Sequence, residues 1–444
     1  MYEKEFQFIF NYASSKADDI EILLSSNKSF SVKIHNQEIE SFNYADAKGI
    51  GVRVIKDDKV GYAYTEEFNE KTLRVIVDQA VENSSFSEDA DKIEFSSYPD
   101  IPRRPRVYSR KLDAVDVASK IDFTKKVERI AREADKRIIN VPFATFGDGR
   151  SFIKIANSRG LHKEDRQNYA YAVVGVLAAE KDDKRAGFDF IISRNFSDFD
   201  PHKLAVKSVE KAIGLLGGRE IASGGYPIIF NNEMMATMLA TFSSIFSAQS
   251  VQEGKSLLKG RLNKIIASNK VTIIDDALHK KGFSTRSFDS EGYPSQKTVL
   301  IDKGKLIGYL HNTITARKDR VSSTGNAARD YKGILSVSPT NFFLKPGNVT
   351  SNELYSRHAR LIEIVSLQGM HAGANTISGD FSLSAEGFLY EQGERKDSLK
   401  QFTVSGNILQ MLKDVEDIAD DFIFDTSACG SASVLIKKLA VSSR

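Results

Sequence analysis

Three of the nine prolines in this 444-residue chain fall between residues 99 and 105, in the run Tyr98-Pro99-Asp100-Ile101-Pro102-Arg103-Arg104-Pro105-Arg106. Proline fixes φ and has no N–H to donate, so such a run belongs neither to a helix interior nor to a central strand. With its charges it reads as a linker over 95–108, and the chain must organise itself on either side. A second break comes at Gly217-Gly218, with Gly224-Gly225-Tyr226-Pro227 shortly after it. The expected organisation is therefore an N-terminal α/β domain over 1–95, a central helix-plus-strands domain over 109–217 and a β-rich domain over 224–444. Three units also match a prior of about 150 residues per domain.

Hydrophobic periodicity fills in the elements. Phe6, Ile9, Phe10 and Ala13 follow helical spacing, and short strands are expected at 20–25, 30–35 and 51–55. Residues 52–64 read as strand, tight turn and strand, with Asp57-Asp58 at the turn. Leu73, Ile76, Val77, Ala80 and Val81 form a helix stripe that Asn69 could cap. In the second segment a long amphipathic helix is expected over 114–136, with Val117, Ile121, Phe123, Val127, Ile130, Ala131 and Ala134 inward. Strands follow over 140–193, with Gly147-Asp148-Gly149 as a turn and the apolar run 169–179 as a buried strand. Asp200-Pro201 has the form of an N-cap with proline at the first helical position, and that helix should stop at Gly217. In the third segment Met234, Met235, Met238, Leu239 and Phe242 mark one helix. A hairpin over 298–309 turns at Asp302-Lys303-Gly304-Lys305. A short helix after Asn407 carries Ile408, Leu409, Leu412, Val415 and Ile418.

Composition excludes several function classes. Sixty-two basic and 59 acidic residues leave a net charge of +3, too balanced to imply a nucleic-acid or membrane surface. The run at 169–179 falls short of the ~20 residues a bilayer span requires. The N-terminus lacks a basic region followed by an apolar core, so it does not read as a signal peptide. The single cysteine, Cys429, rules out an intramolecular disulfide and every Cys-pair zinc motif, and the chain is expected to be cytoplasmic. No histidine stands near Cys429 in sequence to activate it, and it reads as a buried structural residue. The seven histidines lie at 35, 162, 202, 279, 311, 358 and 371, so no helix turn holds two at ligand spacing. Gly49-Ile50-Gly51 and Gly147-Asp148-Gly149 do not extend to a dinucleotide-binding fingerprint. Two polar loops remain as candidates for contact with a peptide: Ser322-Ser323-Thr324-Gly325-Asn326-Ala327-Ala328-Arg329, after Arg317-Lys318, and His371 to Asp380.

Five ordered stretches carry a resemblance: Gly49 to Ile55 running into Gly61-Tyr62-Ala63-Tyr64-Thr65; Ile221 to Pro227; Gly308-Tyr309-Leu310 through Ala316-Arg317-Lys318 to Ser323-Thr324-Gly325-Asn326-Ala327; Gly379-Asp380-Phe381-Ser382 with Ala385-Glu386-Gly387-Phe388; and Phe402 to Asn407. Together they resemble the TldD/PmbA metalloprotease family, on its PmbA (TldE)-like branch. The resemblance implies an α+β fold, with an α/β N-terminal region and a β-rich, barrel-like or sandwich C-terminal domain. In the TldD branch a helix of the third domain carries His-Glu-x-x-x-His, which binds zinc and supplies the general base. Counted back from Ser256-Leu257-Leu258-Lys259-Gly260, that motif falls on Leu239, Ala240 and Ser244, which cannot form the site. The resemblance thus implies a non-catalytic subunit, with no catalytic residue and no metal of its own. It would pair with a TldD-type metalloprotease subunit that holds the zinc, and the heteromer would act on unfolded or modified peptides. The other reading left open is an independent peptide-binding or regulatory homodimer. "Modulator of DNA gyrase" is the family's older label. Arg317, Lys318, Asn326, Asn375 and Asp380 are the candidates for lining the peptide cleft, through bidentate and amide contacts to an extended backbone.

Purified chain is expected to hold no stoichiometric zinc after dialysis; elemental analysis showing about one tight zinc per chain would overturn the expectation.

Overall fold

The computed structural model describes residues 2–86, 94–101 and 105–443. Linker residues 102–104 and Met1 lie outside the described residues. The first half of the chain is built on one six-stranded antiparallel sheet: β1 (Asp19–His35), β2 (Glu38–Lys56), β3 (Lys59–Thr65), β4 (Ile138–Asn157), β5 (His162–Glu180) and β6 (Asp183–Ser193). Its spatial order is β3-β2-β1-β4-β5-β6. β1 pairs with β4 from Glu21↔Asn157 to Ile34↔Ala144, so the segments on either side of the linker complete a single sheet. Composition shows where the chain breaks; which strands pair across the break is decided by packing. The runs expected at 20–25 and 30–35 are parts of one continuous strand, β1. Two-residue turns at Asn36-Gln37 and Asp57-Asp58, all four at positive φ, close the first two hairpins.

Four helices cover one face of this sheet. Glu3–Ala13 and Glu70–Ser84 pack on Ile20, Ile22, Leu24, Ile50, Val52 and Val54. Val117–Glu133 and Pro201–Gly214 pack on Val32, Phe146, Ala170, Ala172 and Val174. The alternation of strand side chains fixes these as one face. The caps are those the sequence suggests: the Asn69 side chain accepts from the Thr72 amide, and Asp200 accepts from the amides of His202 and Lys203 in the first turn. Val117, expected inward, opens its helix instead and is exposed.

The opposite face of the sheet meets the second half of the chain. Leu23 and Ile155 pack there against Phe288 and Tyr331. In the C-terminal half, strands Gly224–Phe230, Arg360–Gln368, Asp380–Glu391, Glu394–Asn407 and Val434–Ser443 close into a five-stranded barrel, because the fourth pairs with the fifth as well as with the third. A second sheet of short strands runs from Lys305–Leu306 to Ile423–Phe424. Between the barrel and this sheet lies the helix Asn232–Phe242, capped by Asn231, with Met235, Met238, Leu239 and Phe242 in the core.

Three further expectations change. Gly147-Asp148-Gly149 is not a turn but the middle of β4; a side chain at Gly147 would collide with the ring of Tyr171 on β5, which lies over it. Val415 and Ile418 belong to a strand rather than to the helix Ile408–Lys413, whose Asn407 cap is as expected. Arg317 and Lys318 sit on a helix, Thr313–Asp319, rather than in a loop.

Leu239 is 3% exposed. Leu239→Asp is expected to cost about 3 kcal/mol or more, by burying an unpaired charge. Thermal or urea unfolding should show the loss directly; an unchanged transition would contradict this packing.

Candidate functional site

The strands β5 and β6 are apolar on both faces. Ala170, Ala172 and Val174 turn toward the helices, while Tyr169, Tyr171, Val173, Phe188, Phe190 and Ile192 turn toward the C-terminal half. The run 169–179 is therefore not a strand buried on both sides: its second face is the wall of a groove. The widest part, about 470 Å³, lies between these side chains and Glu233, Met234 and Thr237 of the Asn232–Phe242 helix. It continues, past Tyr169, Ile192 and Thr426, into a cavity of about 320 Å³ whose polar lining includes Ser284, Ser338 and Thr340. Gln167 and Arg286 are shared with a third cavity, of about 180 Å³, bounded by Asp165 and Asp289. The three cavities join through shared lining residues, from a large aromatic one to a smaller polar one and then to the smallest, of mixed lining. Extended chains suit such a channel, because apolar side chains gain burial while backbone amides find hydroxyl partners. At the wide end Lys211 reaches Asp189 at 2.8 Å and Glu233 at 2.7 Å. Burial opposes its charge, but the two carboxylates outweigh this and raise its pKa.

Beyond the narrow end lies a buried ionic cluster that joins the halves of the chain. Arg53 of β2 pairs with Glu21 of β1 at 3.0 Å and approaches Glu291 at 3.7 Å, and Arg329 also contacts Glu21. Glu291 accepts from the amide and hydroxyl of Thr313 at 2.9 and 2.6 Å. Asp289 accepts from the amides of Glu291, Tyr293 and Ala327, yet burial, with the charge of Glu291 second, pushes its carboxyl up to about 7. Asp275 accepts from Asn326 and from the amide and hydroxyl of Thr340. The strands beneath are shaped for this contact. A side chain at Gly49 would strike the ring of Tyr331, and one at Gly51 its carbonyl.

Three family profiles match the chain: PmbA/TldA metallopeptidase domain 1 over residues 20–84, the central domain over 110–216 and the C-terminal domain over 223–443. The chain belongs to the PmbA/TldD family. Among its relatives is a metalloprotease PmbA homologue of Buchnera aphidicola, 26% identical over 430 residues, which cover 95% of this chain and 93% of that one. A Thermotoga maritima structure described as a candidate modulator of a DNA gyrase superposes with a TM-score of 0.93 at 29% identity, over 100% of both chains. TldE from Thermococcus kodakarensis shares the fold, with a TM-score of 0.90 at 21% identity, over 99% of this chain and 100% of that one.

Against this PmbA/TldD fold the positions singled out in the sequence take definite places. Leu239 is buried in the core, Ala240 is half-buried against it, and Ser244 is exposed. None of the three offers a donor set for zinc, and among the described residues no three His, Cys, Asp or Glu side chains converge as a metal site needs. Cys429 is buried, and burial, with Asp425 second, pushes its thiol up to about 12, far from a thiolate ligand or nucleophile. Arg317 and Lys318 are exposed, with Arg317 3.5 Å from Glu94. Asn326 is 1% exposed, and its amide is spent on Asp275 and the Ser338 carbonyl. Asn375 and Asp380 are brought together in one exposed turn, where Asn375 accepts from the amides of Ile377 and Ser378 and Asp380 accepts from Asn407. None of these five lines the three cavities. Loop composition drew attention to them, whereas one wall of the groove is formed by strand residues of β5 and β6 and the rest by other helix and loop residues. The available signal was the aromatic alternation at 169, 171, 188 and 190.

Glu21→Gln is expected to destabilise the fold by about 3 kcal/mol, because it leaves Arg329 and Arg53 buried with a neutral partner. Urea unfolding measures this, and a change within about 0.5 kcal/mol would show that the cluster carries no such cost.

Proposed function

We propose that this chain is the non-catalytic, PmbA/TldE-type subunit of a TldD–TldE-type heteromeric zinc metalloprotease, and that its groove receives an unfolded or modified peptide. The observation that carries the reading is the groove itself: adjoining cavities, an aromatic one followed by one lined with hydroxyls, beside a helix with no metal ligand. In this reading the TldD-type partner supplies the zinc and the general base. This chain supplies walls that hold an extended substrate and keep water out. The names of relatives, metalloprotease PmbA homologues among them, favour the assignment. No helix among the described residues is long and apolar enough to cross a membrane.

Co-expression with a paralogue bearing His-Glu-x-x-x-His tests the proposal. The two chains are expected to co-purify in one complex, and casein-derived peptides should be cleaved only by the mixture. Tyr169→Ala within the complex should lower turnover about tenfold or more, as a buried aromatic contact to substrate is lost, while leaving assembly intact. Absence of a complex, with the chain isolated as a self-associated dimer, would favour the independent binding module instead.

A further inference from the structure

Arg286 is the one cationic side chain shared by the two narrower cavities of the groove; Arg166 borders only the last. A guanidinium has five N–H donors in a rigid plane, suited to a carboxylate. Here Nη2 donates to the Gly325 carbonyl at 3.1 Å, and Nε is shut off from solvent without a hydrogen-bond partner. Among the described residues no carboxylate lies within ion-pair distance of it. The two acids near enough to attract it are committed elsewhere: Asp289 to three backbone amides, Asp275 to Asn326 and Thr340. Asp289 is moreover pushed up to about 7, so near neutrality it is a weak counter-charge. Burial correspondingly presses the Arg286 pKa downward. A desolvated cation with spare donors, open on one side to a cavity, is an incomplete ion pair.

The position of Arg286 along the groove says which anion completes it. The volume falls from about 470 Å³ through 320 to 180 Å³ as the groove passes Tyr169 and then Arg286. Past Arg286 the lining carries Asp165 and Asp289 beside Arg166, Phe152 and Phe288. A chain entering from the aromatic end thus meets the Arg286 cation, itself without a carboxylate partner, where the second cavity gives way to the smallest. We propose that Arg286 holds the free C-terminal carboxylate of a peptide whose preceding apolar side chains occupy the aromatic part of the groove. Ser284 lines the same cavity. This inference rests on the reading of the groove as a peptide channel, and it narrows the substrate class to peptide ends rather than interior segments.

The test uses the full chain and three fluorescein-labelled apolar hexapeptides: one with a free C-terminal carboxylate, its C-terminal amide, and an amide with glutamate at the penultimate position. Fluorescence anisotropy should show the free acid binding about tenfold or more tighter than either amide, the difference a charge-assisted bidentate contact makes. Arg286→Gln should erase that preference and Arg286→Lys should restore part of it, with circular dichroism confirming the fold of each. The comparison of peptides on the unsubstituted protein stands even if a variant does not fold. Equal binding of acid and amide would overturn the carboxylate site while leaving the groove reading in place. Equal binding of the free acid and the glutamate amide would overturn the assignment to the terminus. Binding of no peptide would overturn both this inference and the peptide channel, and co-purification with the metal-bearing subunit would remain a separate measure of assembly.

Discussion

The placement of the two halves of the molecule depends on four charges removed from water: Glu21, Arg53, Arg329 and Glu291. Desolvating each costs several kcal/mol, and their mutual attraction repays that only when the geometry is right. Such a cluster adds little net stability over an apolar contact, but it discriminates sharply between correct and shifted docking. A slip of the C-terminal half across the sheet would strand a buried arginine. Tyr331, seated over the side-chain-free backbone of Gly49 and Gly51, enforces the same register by shape. The glycines that mark the family resemblance near residue 50 thus have a packing reason.

With the docking fixed, the groove follows from an imbalance in the sheet. Four helices cover one face, and the C-terminal half covers the other only in part, around Leu23 and Ile155. The remaining aromatic side chains of β5 and β6 keep apolar surface exposed, Phe188 to 50%. Apolar area left open in this way, next to convergent polar groups, is characteristic of a surface that binds something. Burying the Arg286 guanidinium at the narrow end adds a directional element, since the groove differs chemically at its two ends.

The Asn232–Phe242 helix sits where two structural demands meet, between the barrel and the second sheet. Its methionines, Leu239 and Phe242 satisfy both neighbours with apolar packing. A helix bearing zinc ligands must turn polar groups toward a cavity and support them with further hydrogen bonds. This helix turns only Glu233, Met234 and Thr237 toward the groove, and Glu233 is held by Lys211. The helix is therefore a core element that forms one wall of the channel.

Local signals in the sequence determined much of this. The caps at Asn69, Asp200 and Asn407, the Asp57-Asp58 hairpin and the helix stripes are short-range effects, set by side chains reaching their own backbone or by periodicity along one element. The five ordered stretches were enough to indicate the family, and the absence of His-Glu-x-x-x-His is a plain sequence fact. Tertiary structure decided what depends on distant partners. Gly147 reads as a turn residue until Tyr171 is seen lying over it, and the run at 169–179 reads as fully buried until one face is seen to lack a cover. Asn326 looks like a ligand donor until Asp275, 51 residues away, takes its amide. Side-chain chemistry specifies what a residue can bond to, but which distant partner it meets is set by strand pairing and packing, and those contacts exist only in three dimensions.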